Sequence, residues 1–143
     1  LPAPLVTRKL VDDPLVAVIR ADHPLARRKR AKLRMEELSD ENFIVFTRAA
    51  GTGIHDQLLT MCRNAGFSPR ISQEAGESST MIGLVAAGMG VAVLPQSMRH
   101  VQVDGVAYVT IDSPDAASAL HLAHRRDDAS PLVKAFMKLM LKA

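Results

Sequence analysis

The chain has 143 residues, enough for one domain of ordinary size or a piece of a larger protein, and its 48% hydrophobic and 23% charged content is that of a soluble globular fold. The net charge of +3 is uneven: Arg27, Arg28, Lys29, Arg30, Lys32 and Arg34 gather in one acid-free window, and the rest of the chain carries a small acidic excess. This excludes a chain that is basic throughout, and 3% aromatic content with no Trp excludes a stacking platform for single-stranded nucleic acid. The run Ile82 to Pro95 is too short and too rich in glycine for a membrane span. Leu1 to Leu10 lacks the pattern of a signal peptide. The chain opens "LPAPL" without Met, which points to a segment of a longer protein. One cysteine, Cys62, permits no internal disulfide and fits a reducing, cytoplasmic setting.

In chain order, "LVAVI" (Leu15 to Ile19) reads as a short buried strand, bounded by Pro14 and by the turn signal Asp22-His23-Pro24. The basic run that follows reads as a solvated loop or, alternatively, as a contact with nucleic acid or an acidic partner. Met35 to Leu38 predicts one helical turn, and "FIVF" (Phe43 to Phe46) a second buried strand. "TRAAGTG" (Thr47 to Gly53) has the composition of a loop. Apolar positions at Ile54, Leu58, Leu59, Met61, Cys62 and Ala65 then predict a helix opening at Ile54, capped by Thr52 and closed by Gly66, with Cys62 on its core face. Arg70 to Glu74 is a strand and Ala75 to Ser79 a loop. Thr80 to Ala87 is a helix capped by Ser78 or Ser79 and ended by Gly88, and Val91 to Leu94 is a strand stopping at Pro95. Strand, helix, strand, helix, strand implies a parallel sheet with crossover helices. Val106 to Ile111 and Leu120 to His124 read as further strands. Ser130-Pro131 starts a last helix that buries Leu132, Val133, Phe136, Met137 and Met140 and turns Lys134, Lys138 and Lys142 outward.

"GMG" (Gly88 to Gly90) invites comparison with a dinucleotide-binding loop, but that fingerprint needs a strand before the glycines and a helix after them. Here the order is reversed. Gly88 instead ends a helix, and Gly90 turns the backbone tightly into a strand. Ligands of a parallel sheet gather outside the carboxyl ends of its strands. The two loops that leave in that direction, Thr47 to Gly53 and Ala75 to Ser79, are rich in Gly, Ser and Thr, and each leads into a helix N-terminus. Backbone N–H groups there favour an anion by roughly 0.3–1 kcal/mol per helix. A small carboxylate would suit two such ends; the alternative is that these residues only cap helices. Catalytic patterns are absent. Nothing pairs the acids Glu74, Glu77 and Asp56 into a catalytic set, Ser78 and Ser79 sit in no nucleophile elbow, and His121 and His124 fall on opposite faces of a strand. His55 and His100 stand alone, so neither a metal site nor a cofactor is expected.

Three stretches, "DHPLARRKRAKLRMEELSDENFIVFTR", "CRNAGFSPRISQEAGESSTMIGLVAAGMGVAVLP" and "AHRRDDASPLVKAFMKLM", resemble the effector-binding domain of LysR-type transcriptional regulators over nearly the whole chain. The resemblance implies a two-lobed fold like that of periplasmic solute-binding proteins, α/β, with a largely parallel sheet in the second lobe. It places that lobe at residues 13–95, with hinge crossings and part of the first lobe at 1–12 and 96–143. It also implies a small-molecule effector in an interlobe cleft, a homo-oligomer (dimer or tetramer), no membrane, and DNA bound only through an N-terminal helix-turn-helix domain that this chain does not contain. The positions it implies as effector contacts are Thr52, Gly53, Ile54, Glu77, Ser78 and Leu120, to which the first loop adds Thr47. Rival readings on the same scaffold are a solute-binding protein of a transporter and an enzyme, the latter without an acid–base pair to serve it.

Overall fold

A computed structural model describes residues 4–28, 32–101 and 103–142, and the side chains of all of these except 50–52. In chain order the elements are β1 (Leu5–Asp12), β2 (Leu15–Arg20), α1 (Pro24–Arg27), β3 (Lys32–Leu33), β4 (Asn42–Phe46), α2 (Arg48–Asn64), β5 (Arg70–Ala75), α3 (Ser78–Ala86), β6 (Ala92–Pro95), β7 (Val106–Ile111), β8 (Ala119–Arg125) and α4 (Pro131–Lys142), with 3-10 turns at Met35–Leu38, Gln96–His100 and Pro114–Ala116. They form two units. One is Pro14–Ala117; the other joins Leu1–Asp13 to Ser118–Ala143.

In the larger unit β4 and β5 run parallel, from Asn42 opposite Arg70 to Phe46 opposite Ala75. On the other edge of β4, Phe43 bridges Val91 in parallel. Ile44 N–H donates to the Val91 carbonyl and Val91 N–H to the Asn42 carbonyl, both at 2.8 Å. The predicted parallel strand–helix–strand–helix–strand core is therefore present. Beyond it, β6 pairs antiparallel with β2, β2 antiparallel with β7, and β7 parallel with the short β3. The pairing of β7 with β2 carries the unit past the expected boundary at residue 95, as far as Ala117.

Alternation along the strands sorts the core into two clusters. Leu15, Ala17, Ile19, Phe43, Val45, Val91 and Val93 meet Leu58, Met61 and Cys62 of α2, while Val18, Ile44, Phe46, Ala92 and Leu94 meet Met81, Ile82 and Val85 of α3. Successive residues of a strand point to opposite faces, so a strand covered on both sides reads as an unbroken apolar run. The chain steps outward from β4 to β5 and then back past β4 to β6, which puts the two crossover helices on opposite faces. Each fully buried side chain of this kind contributes roughly 1.5–3 kcal/mol. Cys62 is completely buried, and burial pushes its thiol up to about 11.

Both helices end as expected, with Gly66 and Gly88 at φ +90° and +83°. Gly90, at φ +153°, does more than turn the chain. A Cβ there would lie 2.5 Å from the Asn42 carbonyl oxygen, so only a residue without a side chain lets β6 close against β4.

The turn at Asp22-His23-Pro24 continues into a four-residue helix. His23 caps it by accepting from Leu25 N–H through Nδ1 at 3.0 Å, while its Nε2 meets the Glu41 carboxylate. The basic run is not a wholly solvated loop. Arg28 holds Glu37, with Nη2 to Oε2 at 2.7 Å, and Arg34 N–H donates to the same carboxylate at 2.8 Å. Lys29 and Arg30 lie outside the described residues. The Arg28 hydrogen bond, then the Arg34 N–H, holds the Glu37 carboxyl down at about 2, below its ordinary 4.5. A carboxyl lowered in the folded state adds stability above its unfolded value, and that contribution fades as pH falls from about 4.5 towards 2. Glu37→Gln should therefore lower the melting temperature at pH 7 and flatten its decline in that acid window. A melting series from pH 7 to pH 2 that superimposes on the wild type would refute this.

In the smaller unit β1 pairs antiparallel with β8, from Leu5 opposite Arg125 to Asp12 opposite Ala119, with an irregularity between Lys9 and Val11. The last helix starts at Pro131 as expected but buries none of its side chains. Leu132 is 81% exposed and Phe136 54%. A two-stranded ribbon offers too little surface to cover the apolar face of a 12-residue helix.

Candidate functional site

The stretch Thr47 to Gly53 is not a loop. Thr47 occupies the N-cap position and α2 begins at Arg48, so Thr52 lies inside the helix rather than capping it; the Thr52 side chain is outside the described part. Ala49 and Ala50 favour helix strongly enough to carry the first turn through Gly51 and Gly53. Helix α3 likewise begins earlier than expected, at Ser78, with Glu77 at the cap position and neither Ser78 nor Ser79 capping. In both helices the cap residue makes no side-chain hydrogen bond to the first turn. The first N–H groups of an α-helix have no partner within the helix, so two sets of donors remain available for a ligand.

The two starts share one rim. They follow the adjacent carboxyl ends of β4 and β5, where Phe46 lies opposite Ala75, and Thr47 N–H donates to the Ala75 carbonyl at 3.0 Å. The structure thus brings Thr47 together with Glu77 and Ser78. Gly53 and Ile54 lie further along α2. Ile54 is its seventh residue, about 9 Å from the helix start at 1.5 Å per residue, and it packs against the cluster of Ile44, Phe46 and Ile82. Leu120 belongs to the other unit, on β8 opposite Val11, and is 51% exposed.

Two features of the rim escaped the sequence reading. His55, isolated in sequence, is buried and its Nδ1 lies 3.0 Å from the Phe46 carbonyl, tying α2 to the end of β4. A carbonyl oxygen only accepts, so Nδ1 carries the proton. Arg48, at the first position of α2, turns its guanidinium along the helix to Asp56, at 3.2 Å, both well exposed. Glu77, at the cap position of α3, is exposed. The arrangement can hold a small anion by backbone N–H groups and can orient an apolar body over Ile54; among the described residues no carboxylate is paired with a histidine there. Among the described residues no group of three or more His, Cys, Asp and Glu could hold a metal ion, and no helix is long and apolar enough to cross a membrane.

Parallel strands with two crossover helices, in a chain that crosses twice between two units, give an α/β fold of the periplasmic-binding-protein kind. The chain belongs to the LysR substrate binding domain family, which it matches over residues 1–143. It is 39% identical over 144 residues to the uncharacterized HTH-type transcriptional regulator YnfL of Escherichia coli K12, covering 100% of this chain and 48% of that protein. It is 36% identical to the HTH-type transcriptional regulator CatR of Pseudomonas putida, covering 92% of this chain and 44% of CatR. The chain thus spans about half the length of these relatives, which are named as transcriptional regulators rather than as enzymes. Its fold is shared with the BenM effector binding domain with its effector benzoate (TM-score 0.87, 22% identity, 99% of this chain and 64% of that one). It is also shared with the Synechocystis PCC6803 CcmR regulatory domain in complex with 2-PG (TM-score 0.85, 23% identity, 99% and 69%).

Proposed function

We infer that this chain is the effector-sensing part of a LysR-type transcriptional regulator and that its effector is a small carboxylate, held at the rim where α2 and α3 begin. The observation that carries this reading is the meeting of two uncapped helix starts at the adjacent ends of β4 and β5. The benzoate bound by the BenM domain, which shares this fold, supports a carboxylate of this size. Thr47, Glu77 and Ser78 line the rim directly. Gly53 and Ile54 supply the wall along α2, with Thr52 beside them; Leu120, on β8, is a further position that the resemblance alone implies. The effector acts by population shift: it binds one conformation of the protein better than another and so changes how paired subunits, as a dimer or tetramer, present an N-terminal helix-turn-helix to DNA in the cytoplasm. A tenfold bias needs about 1.4 kcal/mol of differential binding, within the reach of one or two hydrogen bonds to a carboxylate.

The test is a thermal-shift titration of the intact protein with benzoate and a panel of small carboxylates. A ligand at 100 times its dissociation constant stabilises by about 2.7 kcal/mol. Ser78→Asp puts a negative charge in the first turn of α3, where it favours the helix but repels an anion. The variant should melt no lower than wild type and bind the active carboxylate at least about tenfold more weakly, the equivalent of 1.4 kcal/mol. Unchanged affinity in Ser78→Asp would overturn the rim assignment.

A further inference from the structure

Helix α2 carries the proposed rim at one end, and about two and a half turns further on it grips a remote part of the chain. The Gln57 side-chain amide donates to two carbonyls, that of Asp115 at 2.9 Å and that of Ala117 at 3.0 Å. Two turns later Asn64 Nδ2 donates to the Asp115 carboxylate at 3.0 Å, and Ser113 Oγ accepts from Asp115 N–H at 3.1 Å. These bonds converge on the 3-10 turn Pro114–Ala116 and the residue after it. Ala117 is the last residue of the larger unit. The next one, Ser118, accepts from Asp13 N–H at 2.8 Å, and Asp13 is the last residue before the chain first enters the larger unit. The two crossings are therefore bonded to each other, and one of them is held by α2. A primary amide has two N–H donors and both are engaged here; a carboxylate or an alkyl chain would suit the face of a helix equally but would donate nothing.

We propose that Gln57 is a positioning residue that ties the crossing at Ala117–Ser118 to the helix bearing the effector rim, so that a stiffening or shift of α2 on effector binding is passed to the segment joining the two units. The effector half of this statement rests on the rim reading above; the tether itself does not.

Hydrogen exchange read by mass spectrometry on the intact protein separates the two. Without ligand, Gln57→Leu and the isosteric Gln57→Glu should speed exchange in a peptide covering residues 112–119 by about tenfold, the effect of losing two modest hydrogen bonds. Exchange in β2 serves as the control for global unfolding and should not change. Equal exchange at 112–119 in wild type and both variants overturns the tether. With saturating benzoate, the wild type should slow exchange in residues 48–54 and in 112–119 together, and Gln57→Leu only in 48–54. A crossing that still responds in Gln57→Leu overturns the coupling. If benzoate leaves 48–54 unaltered in the wild type, the rim reading fails for benzoate, while the ligand-free comparison still decides the tether.

Discussion

Phe43→Ala is expected to destabilise the protein by about 3–5 kcal/mol, the range for emptying a well-packed aromatic site. Phe43 is fully buried and sits at the junction of the larger unit. Its backbone pairs with Ile71 on one side and Val91 on the other, and its ring lies 6.2 Å from that of Phe67, tilted by 36°. Truncation removes the side chain that joins α2, through Leu58 and Met61, to the centre of the sheet. The cavity cannot collapse easily, because both neighbouring strands are held by main-chain bonds. Urea unfolding should show a lower midpoint with an unchanged slope. A loss below about 1 kcal/mol would mean that the ring is not packed as described.

Gly90→Ala is expected to cost about 2–4 kcal/mol, although it adds a single methyl group. Two penalties combine. An alanine at φ +153° sits in a strained backbone region, and its Cβ meets the Asn42 carbonyl oxygen at 2.5 Å. That carbonyl accepts from Val91 N–H, so relieving the clash weakens the bridge that holds Val91, just before β6, to β4. Gly88→Ala, two residues earlier, is the informative comparison. Its φ is +83°, but the nearest atom to a Cβ there is the end of the flexible Arg20 side chain, at 3.0 Å, which can move. It should cost only the conformational penalty, about 1–2 kcal/mol. Equal losses from the two substitutions would show that close approach to Asn42 contributes nothing.

Local signals carried far in this chain. The apolar runs Leu15 to Ile19 and Phe43 to Phe46 lie within observed strands, Val106 to Ile111 is one outright, and the period in Leu58, Met61 and Cys62 gave the core face of α2. Gly88 and Gly90 disclosed their backbone roles because glycine is the residue that positive φ selects. The errors fall where distant parts of the chain decide. The start of α2 looked like a loop because two glycines and two threonines weigh towards coil, whereas the Thr47 and His55 bonds to β5 and β4 hold it helical. Strand β1 has no apolar run to announce it; it exists because β8, more than a hundred residues later, pairs with it. The apolar face of α4 was rightly periodic, but amphipathicity shows that a face can be buried without showing that a partner is there. The carboxyl-end rim was legible because the order of strands and helices dictates it, whereas the Gln57 tether, spanning 58 and 60 residues, left no local trace.

The one cysteine of this protein offers an experimental handle. Cys62 stands with no exposure at the interface of α2 and the sheet, and burial pushes its thiol up to about 11, so at neutral pH the unreactive thiol form predominates. A maleimide or disulfide reagent can reach it only when α2 lifts away. The alkylation rate is therefore a clock for that excursion, already wired into the native chain and needing no dye, tag or added residue, and any small molecule that fastens the helix should slow it.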